Sequence, residues 1–446
     1  MPIITCKNTN LLSAFKNNFA NTIYENKHIM THKYTFIDLF SGCGGLTEGF
    51  LQSGYFRSLA HVEWEKPMVE TLRHRLVTHW NYTPKEALRD VVLFDVQKTD
   101  ELINGNWSEE TLSKYKGDNH KDFIHGGLKE IIGENKVDVI IGGPPCQAYS
   151  IHGRATDKNS MQNDYRNYLF ESFVSIVDFF KPKMFVFENV PGILSAKPGG
   201  KHVTERIFEA FNAIGYEIRS PEELRNSIFD AVQFQVPQYR KRVIILGIKK
   251  GSCLNLNSLY DSIKAEESPL PIKTVKDAIG NFPHIYPLKE PQKEGRINIS
   301  HKVSNERKEI TQHIPRYNSL REIKIFKEWV EKRMNYISHK EQVDYYYQAT
   351  GHKTLYTKYK NLEWDKPSHT IVAHLSKDGM MFIHPDAQQA RSITIREAAT
   401  LMSFPLDFEF IGSNSYCFKM IGNAVPVLLA KGIANAIYKE LRKNNI

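Results

Sequence analysis

Tyr34-Thr-Phe-Ile-Asp-Leu-Phe-Ser-Gly-Cys-Gly-Gly45 decides how the rest of the chain is read. Its first seven residues, rich in aromatic and aliphatic side chains, predict a strand. The glycines at 42, 44 and 45 break it, and a helix is expected from about Leu46. Strand, glycine turn and helix in that order let backbone approach a nucleotide-like ligand closely. Ser58-Leu-Ala-His-Val62 predicts a second strand that ends in Glu63-Trp64. An acidic residue about 20 positions past such a turn is placed to accept hydrogen bonds from ribose hydroxyls. Trp64 beside it offers either a stacking face or a piece of core.

Working outward, Val91-Val-Leu-Phe94 leads into Asp95, Val139-Ile-Ile141 into Gly142-Gly-Pro-Pro145, and Met184 to Phe187 into Glu188-Asn-Val190. Helices are expected over 165–180 and 202–214, and a further strand over Val243 to Ile248. This alternation predicts a doubly wound α/β sheet, whose ligands gather at the C-terminal edge of the strands. Asp38, Glu63, Asp95, Cys146 and Glu188 are all expected along that edge. Pro144 and Pro145 fix φ at two successive positions and hold Cys146 on a stiff turn at a strand end. The residues alone leave two readings of Cys146 open, a small buried hydrophobe and a presented nucleophile.

The chain has 446 residues, 41% hydrophobic and 24% charged, enough for a large core or two domains. A net charge of +9 favours a polyanionic partner. Five scattered cysteines with no CxxC pair suggest neither a disulfide framework nor a zinc cage, so a reducing cytoplasm and no metal are expected. No apolar run approaches the roughly 18 residues of a membrane span, and the N-terminus lacks a signal pattern. Residues 1–32 read as a polar extension, and 97–136 carry no legible motif. Between about 250 and 390 the alternation is lost. That segment is rich in Tyr, His and Lys, with Tyr345-Tyr-Tyr347 close to Lys353, Lys358 and Lys360, a mixture suited to phosphate contact and base stacking. Order returns at Arg391. Thr394 and Glu397 form a capping box that starts a helix at Ile395, and Ile421-Gly-Asn-Ala-Val-Pro426 precedes a last amphipathic helix to about Leu441.

Taken together, Phe36-Ile-Asp-Leu-Phe-Ser-Gly-Cys-Gly-Gly45, Glu63-Trp64, Asp95-Val96, Gly143-Pro-Pro-Cys-Gln147, Glu188-Asn-Val190, Gln238-Tyr-Arg-Lys-Arg242, the stretch 391–405 and Gly422-Asn-Ala-Val425 stand in an order that resembles the cytosine carbon-5 DNA methyltransferases of bacterial restriction-modification type. The resemblance covers most of residues 34–441. It implies a Rossmann-like catalytic domain in two pieces, 33–260 and 391–446, with a smaller irregular target-recognition domain over 261–390.

What the resemblance implies about chemistry agrees with the residues. Carbon 5 of cytosine is a poor nucleophile, and thiolate addition at carbon 6 makes it enamine-like. Cys146 is then the nucleophile. Glu188 resembles the carboxyl group that binds ring nitrogen 3 and the exocyclic amine. Arg242 resembles the donor to the carbonyl oxygen at carbon 2, with Arg240 its neighbour. The target base has to leave the duplex for this pocket, and Gln147 and Ser150 fall in the loop that closes over the DNA. For S-adenosylmethionine, the resemblance sets Phe40 and Trp64 against adenine, Glu63 on the ribose, Asp95 on the adenine amine and the backbone of Gly42, Gly44 and Gly45 along the methionine moiety. Asn423 closes that end, and Pro144 lines the gap to cytosine. Asp38, Leu46, Val96 and Val425 are counted with them. The implied partners are double-stranded DNA and, functionally, a cognate restriction endonuclease; a soluble monomer is expected. Two rival readings, a regulator without activity and a tRNA methyltransferase, fit less well. The first is expected to have lost Cys146, Glu188 or the glycine turn, and the second has a compact recognition region unlike the long interval from Ile248 to Arg391.

Overall fold

The computed structural model describes residues 33–114, 126–144, 169–305 and 307–444. Within them, the runs of β-branched and aromatic residues form the strands. β1 (Tyr34–Leu39), β2 (Phe56–Glu63), β3 (Val91–Leu93), β4 (Val139–Gly142) and β5 (Met184–Asn189) are parallel in the spatial order β3-β2-β1-β4-β5. β6 (Tyr216–Glu217), β7 (Ile228–Asp230) and β8 (Lys241–Lys249) complete the sheet, with β8 antiparallel to β5 and flanked by the two short strands. Every residue of β1, β4 and β5 is buried, as a parallel sheet covered on both faces requires.

Side chains alternate between those faces with the period of two that a pleated strand imposes. Phe36, Val139, Ile141, Val186 and Ile244 enter one core, together with helices Gly45–Gln52, Lys66–His79, Leu256–Lys264 and Val427–Lys443. Ile37, Leu39, Ile140, Phe185, Phe187 and Ile245 enter the other, together with Thr99–Asn104, Gly127–Ile132, Leu169–Phe180 and Val203–Ala213. The chain runs outward from β1 to β3 and then crosses to β4 on the other side of β1. The crevice beyond the C-terminal ends of β1 and β4 is therefore the switch point where such sheets take ligands.

The end of the chain closes on its beginning. Helix Val427–Lys443 lies so tightly against Gly45–Gln52 that a Cβ on Gly49 would sit 2.4 Å from the Cβ of Ala430. The stretch Asn414–Lys443 is long and apolar enough to cross a membrane, and 72% of its most apolar window is buried inside the protein. That run is core, although its composition passes for a span.

Two regions carry more order than the sequence suggested. The segment 97–136 contains Thr99–Asn104, Glu109–Lys114 and Gly127–Ile132. The region after 250 contains the hairpin β9 (Ile285–Glu294) and β10 (Ile297–Val303) and two helices, Leu320–Glu331 and His339–Thr350. Each helix starts at a capping box, Ser319 with Glu322 and Ser338 with Glu341. Both boxes are local sequence signals of a helix start. Ile325, Phe326, Trp329, Met334 and Tyr359 form a small core of their own here. Helix Leu256–Lys264 crosses the expected boundary at 261 and packs into the main core through Leu259 and Ile263.

Alanine at position 49 would improve helix propensity by about 1 kcal/mol in an open helix. Here it has no room, so Gly49→Ala is expected to destabilise the protein by about 1–3 kcal/mol. Urea unfolding of the two proteins measures the difference.

Candidate functional site

Beyond Leu39 the backbone turns through three left-handed positions, Phe40 (φ 57°), Gly42 (φ 55°) and Gly44 (φ 93°). Glycine adopts these freely; Phe40 does so against its side chain, a strain characteristic of functional turns. Gly44 caps helix Gly45–Gln52 without any side-chain hydrogen bond, leaving first-turn N–H groups for an anionic group. A Cβ on Gly42 would meet only the Met68 Sδ, at 3.9 Å, so backbone lies bare there. Gly45 has the opposite reason to lack a side chain: its Cβ would fall 2.4 Å from the Val425 carbonyl oxygen.

Glu63 ends β2 under this turn. One carboxylate oxygen accepts the Gly42 N–H at 2.9 Å, and the other accepts those of Trp64 at 2.8 Å and Glu65 at 2.9 Å. Burial pushes the carboxyl up to about 7 in spite of these donors. With about four acceptor positions on a carboxylate, three are filled from the backbone. Trp64 is 47% exposed beside it. Asp95 follows β3 half-buried and accepts the Gln97 N–H at 3.1 Å.

Asp38 is not on the ligand edge as expected. It is fully buried one layer below, where it accepts the Thr47 hydroxyl at 2.6 Å, and the Thr47 oxygen lies 3.1 Å from the Nδ1 of His61. The reason is the pleat: Leu39 carries the chain into the turn, while Asp38 faces helix Gly45–Gln52. Its Oδ1 and the His61 Nε2 are buried without a protein partner. Burial lifts Asp38 to about 7 and lowers His61 to about 3. Leu46, Val96 and Val425 are likewise buried, as packing around the pocket. Phe40 is half-buried, and Asn423 is exposed at the end of helix Asn414–Asn423.

Across the crevice, Glu188 near the end of β5 forms an ion pair with the Nε of Arg242 at 2.6 Å. Burial raises its pKa, with Arg242 and Arg240 opposing the rise. A Cβ on Gly143 would stand 2.6 Å from the Glu188 Oε2, so this glycine admits the carboxyl to the strand end. The Pro144 carbonyl accepts the Asn189 amide at 3.3 Å. Cys146, Gln147 and Ser150 lie outside the described residues. Arg240, grouped with Arg242 by sequence, is instead committed to backbone: it donates to the carbonyls of Ile371, Gly422 and Ala424 at 2.6, 2.8 and 2.9 Å. Sequence reasoning missed the support shell altogether. Thr47 and His61 behind the turn, and the buried pair of Glu48 with Arg75 at 2.7 Å, have no local signature.

Comparison with known proteins places the chain in a family. A family model described as C-5 cytosine-specific DNA methylase matches residues 34–439. The Type II methyltransferase M.Bpa9945I of Bacillus paralicheniformis is 35% identical in an alignment that spans 90% of this chain and 98% of that protein. The Type II methyltransferase M1.HphI of Haemophilus parahaemolyticus is 30% identical, over 91% of this chain and 87% of its own. Among solved structures, a prophage-encoded protein of E. coli superposes with a TM-score of 0.58 at 23% identity, over 92% of this chain and 100% of that one. The Dnmt2 methyltransferase of S. pombe gives 0.51 at 13% identity, over 93% and 100%. At these identities the likeness is one of fold, the same mixed α/β sheet.

Because Asp38 has a folded pKa above its unfolded value, its contribution to stability is full below about pH 4 and is lost as pH rises through about 7. Asp38→Asn removes that dependence. The melting temperature of the variant relative to wild type is therefore expected to rise between pH 5 and pH 8, as measured by calorimetry at both pH values.

Proposed function

The chain belongs to the C-5 cytosine-specific DNA methylases, DNA (cytosine-5-)-methyltransferases that use S-adenosylmethionine, and we propose that it methylates a cytosine turned out of duplex DNA through a covalent adduct with Cys146. The observation that carries this reading is the buried Glu188–Arg242 pair beside Gly143-Pro144, two residues before the cysteine. A carboxyl group held there with a raised pKa takes up a proton more readily and can share it with ring nitrogen 3, while Arg242 answers the carbonyl oxygen at carbon 2. Withdrawing electron density at those atoms opens carbon 6 to the Cys146 thiolate. Carbon 5 then carries the electron pair that takes the new methyl group. Loss of the carbon 5 proton expels the thiolate and restores the ring. Arg240 acts as a positioning residue that fixes the approach to Arg242.

The cofactor suits the residues present. When bound, S-adenosylmethionine supplies an electrophilic methyl group. Its carboxylate matches the uncapped start of helix Gly45–Gln52 and the bare backbone at Gly42. The remaining acceptor position on Glu63 suits a ribose hydroxyl, the exposed face of Trp64 suits adenine, and Asp95 suits the adenine amine. Phe40, Leu46, Val96, Pro144, Asn423 and Val425 line or close this pocket, and Asp38 supports it from behind.

The segment from the end of helix Leu256–Lys264 to about residue 390 is the target-recognition domain in this reading, on the strength of its separate small core and exposed Lys353, Lys358 and Lys360. The Type II names of the relatives support service in a restriction-modification system in the cytoplasm, beside an endonuclease of the same specificity.

Cys146→Ser is expected to abolish methyl transfer while leaving cofactor binding in place, because a hydroxyl is a far weaker attacker than a thiolate. Glu188→Gln is expected to lower kcat by roughly 10²–10⁴. A target DNA with fluorine at carbon 5 should trap the wild type, and a Cys146→Ser protein that still methylates overturns the mechanism.

Replacing Lys353 or Lys358 with alanine is expected to weaken every DNA sequence alike and to reduce the salt dependence of binding by about one unit. Exchanging the whole segment 265–390 for that of a relative is expected to transfer the relative's target sequence, read by mapping the methylated cytosines.

A further inference from the structure

One ion pair ties the end of the chain to the acidic corner of the cofactor pocket. The Lys419 ammonium, on helix Asn414–Asn423, lies 2.7 and 2.8 Å from the two carboxylate oxygens of Glu65. Both side chains are largely covered, 32% and 22% exposed, and the ammonium stands 5.7 Å from the centre of the Tyr416 ring. Glu65 is also one of the three residues whose backbone N–H holds Glu63, at 2.9 Å. Lys419 therefore grips the peptide that grips Glu63.

The pair also settles a question of charge. Glu65 is a second carboxylate two residues from Glu63, and a neighbouring like charge opposes ionisation. Among the described residues, Asp38 on β1 and Cys43 in the glycine turn also face Glu63, and neither is a cation. Lys419 is the cation set directly against Glu65. We propose that Lys419 is a positioning residue for cofactor binding, which by clamping and neutralising Glu65 keeps Glu63 oriented and charged for the ribose hydroxyls. This rests on the reading of Glu63 as the ribose-binding residue. In support, burial pushes the Glu63 carboxyl up to about 7 and the charge of Glu65 adds to the rise, so little further repulsion is needed to neutralise it near physiological pH.

The test is calorimetric binding of S-adenosylmethionine to the full chain from pH 6 to 8.5, in wild type, Lys419→Arg, Lys419→Gln, the double variant Glu65→Gln with Lys419→Gln, and Glu63→Ala. Lys419→Gln is expected to raise Kd roughly three- to tenfold and to move upward the pH below which affinity is lost. Lys419→Arg should keep the wild-type profile, and the double variant should recover the wild-type midpoint because the unanswered charge is gone. A Lys419→Gln protein with wild-type Kd and midpoint overturns the proposal. So does a weakened one whose midpoint is unmoved and which the double variant does not rescue, since that is loss of packing alone. Unchanged affinity in Glu63→Ala overturns the reading of the pocket itself, whereas loss in Glu63→Ala with none in Lys419→Gln removes only the role of Lys419.

Discussion

Arg240 is the point on which the assembled catalytic unit turns. Its guanidinium is fully buried and gives its hydrogen bonds to carbonyls of Ile371, Gly422 and Ala424, brought together from two remote parts of the chain. A buried charge is costly unless its donors are met, so the three carbonyls have to stay where they are. Gln238 repeats the device two residues earlier, accepting the Ile371 N–H at 3.0 Å and donating to the Leu401 carbonyl at 3.2 Å. Between them they seat the C-terminal return against the start of β8. Ala424 and Val425 are thereby pressed onto Gly45, and the glycine turn is closed by residues nearly the whole chain away.

The two halves of the pocket solve the burial of a carboxylate differently. Glu63 is surrounded by backbone N–H groups, which fix its direction and leave one acceptor position for a ligand. Glu188 is held by a guanidinium, and its proton affinity is the balance of burial against that charge. The first arrangement suits recognition of hydroxyls by an acceptor. In the proposed mechanism the second serves a group that shares a proton with a ring nitrogen. The missing side chain at Gly143 makes the close approach of Glu188 workable, and Gly42, at a φ of 55°, turns its N–H onto Glu63.

The strands and most of the ligand edge were legible because their signals are local. A run such as Val139-Ile-Ile141 commits itself to a buried strand, and Thr394 with Glu397 announces a helix at the residue where it begins. The same rule shows where reading failed. Helix His339–Thr350 has a capping box but no fully buried residue, and the face it packs on the small core is a half-covered one of Tyr345, Tyr346 and Ala349 rather than an aliphatic stripe. Asp38 was placed on the edge because it precedes the turn, and only the side-chain direction set by the pleat put it beneath Thr47.

By itself, then, the sequence determined the alternating α/β order, the glycine turn, the carboxylates at the strand ends and the family, all of which rest on contacts within a few residues. Tertiary structure alone decided that Arg240 serves backbone, that Asp38 stands behind the pocket with His61, and that Lys419 answers Glu65. Each of these joins residues far apart in the chain, and their meeting depends on how the sheet twists and where the last helix docks, which no short stretch of sequence encodes.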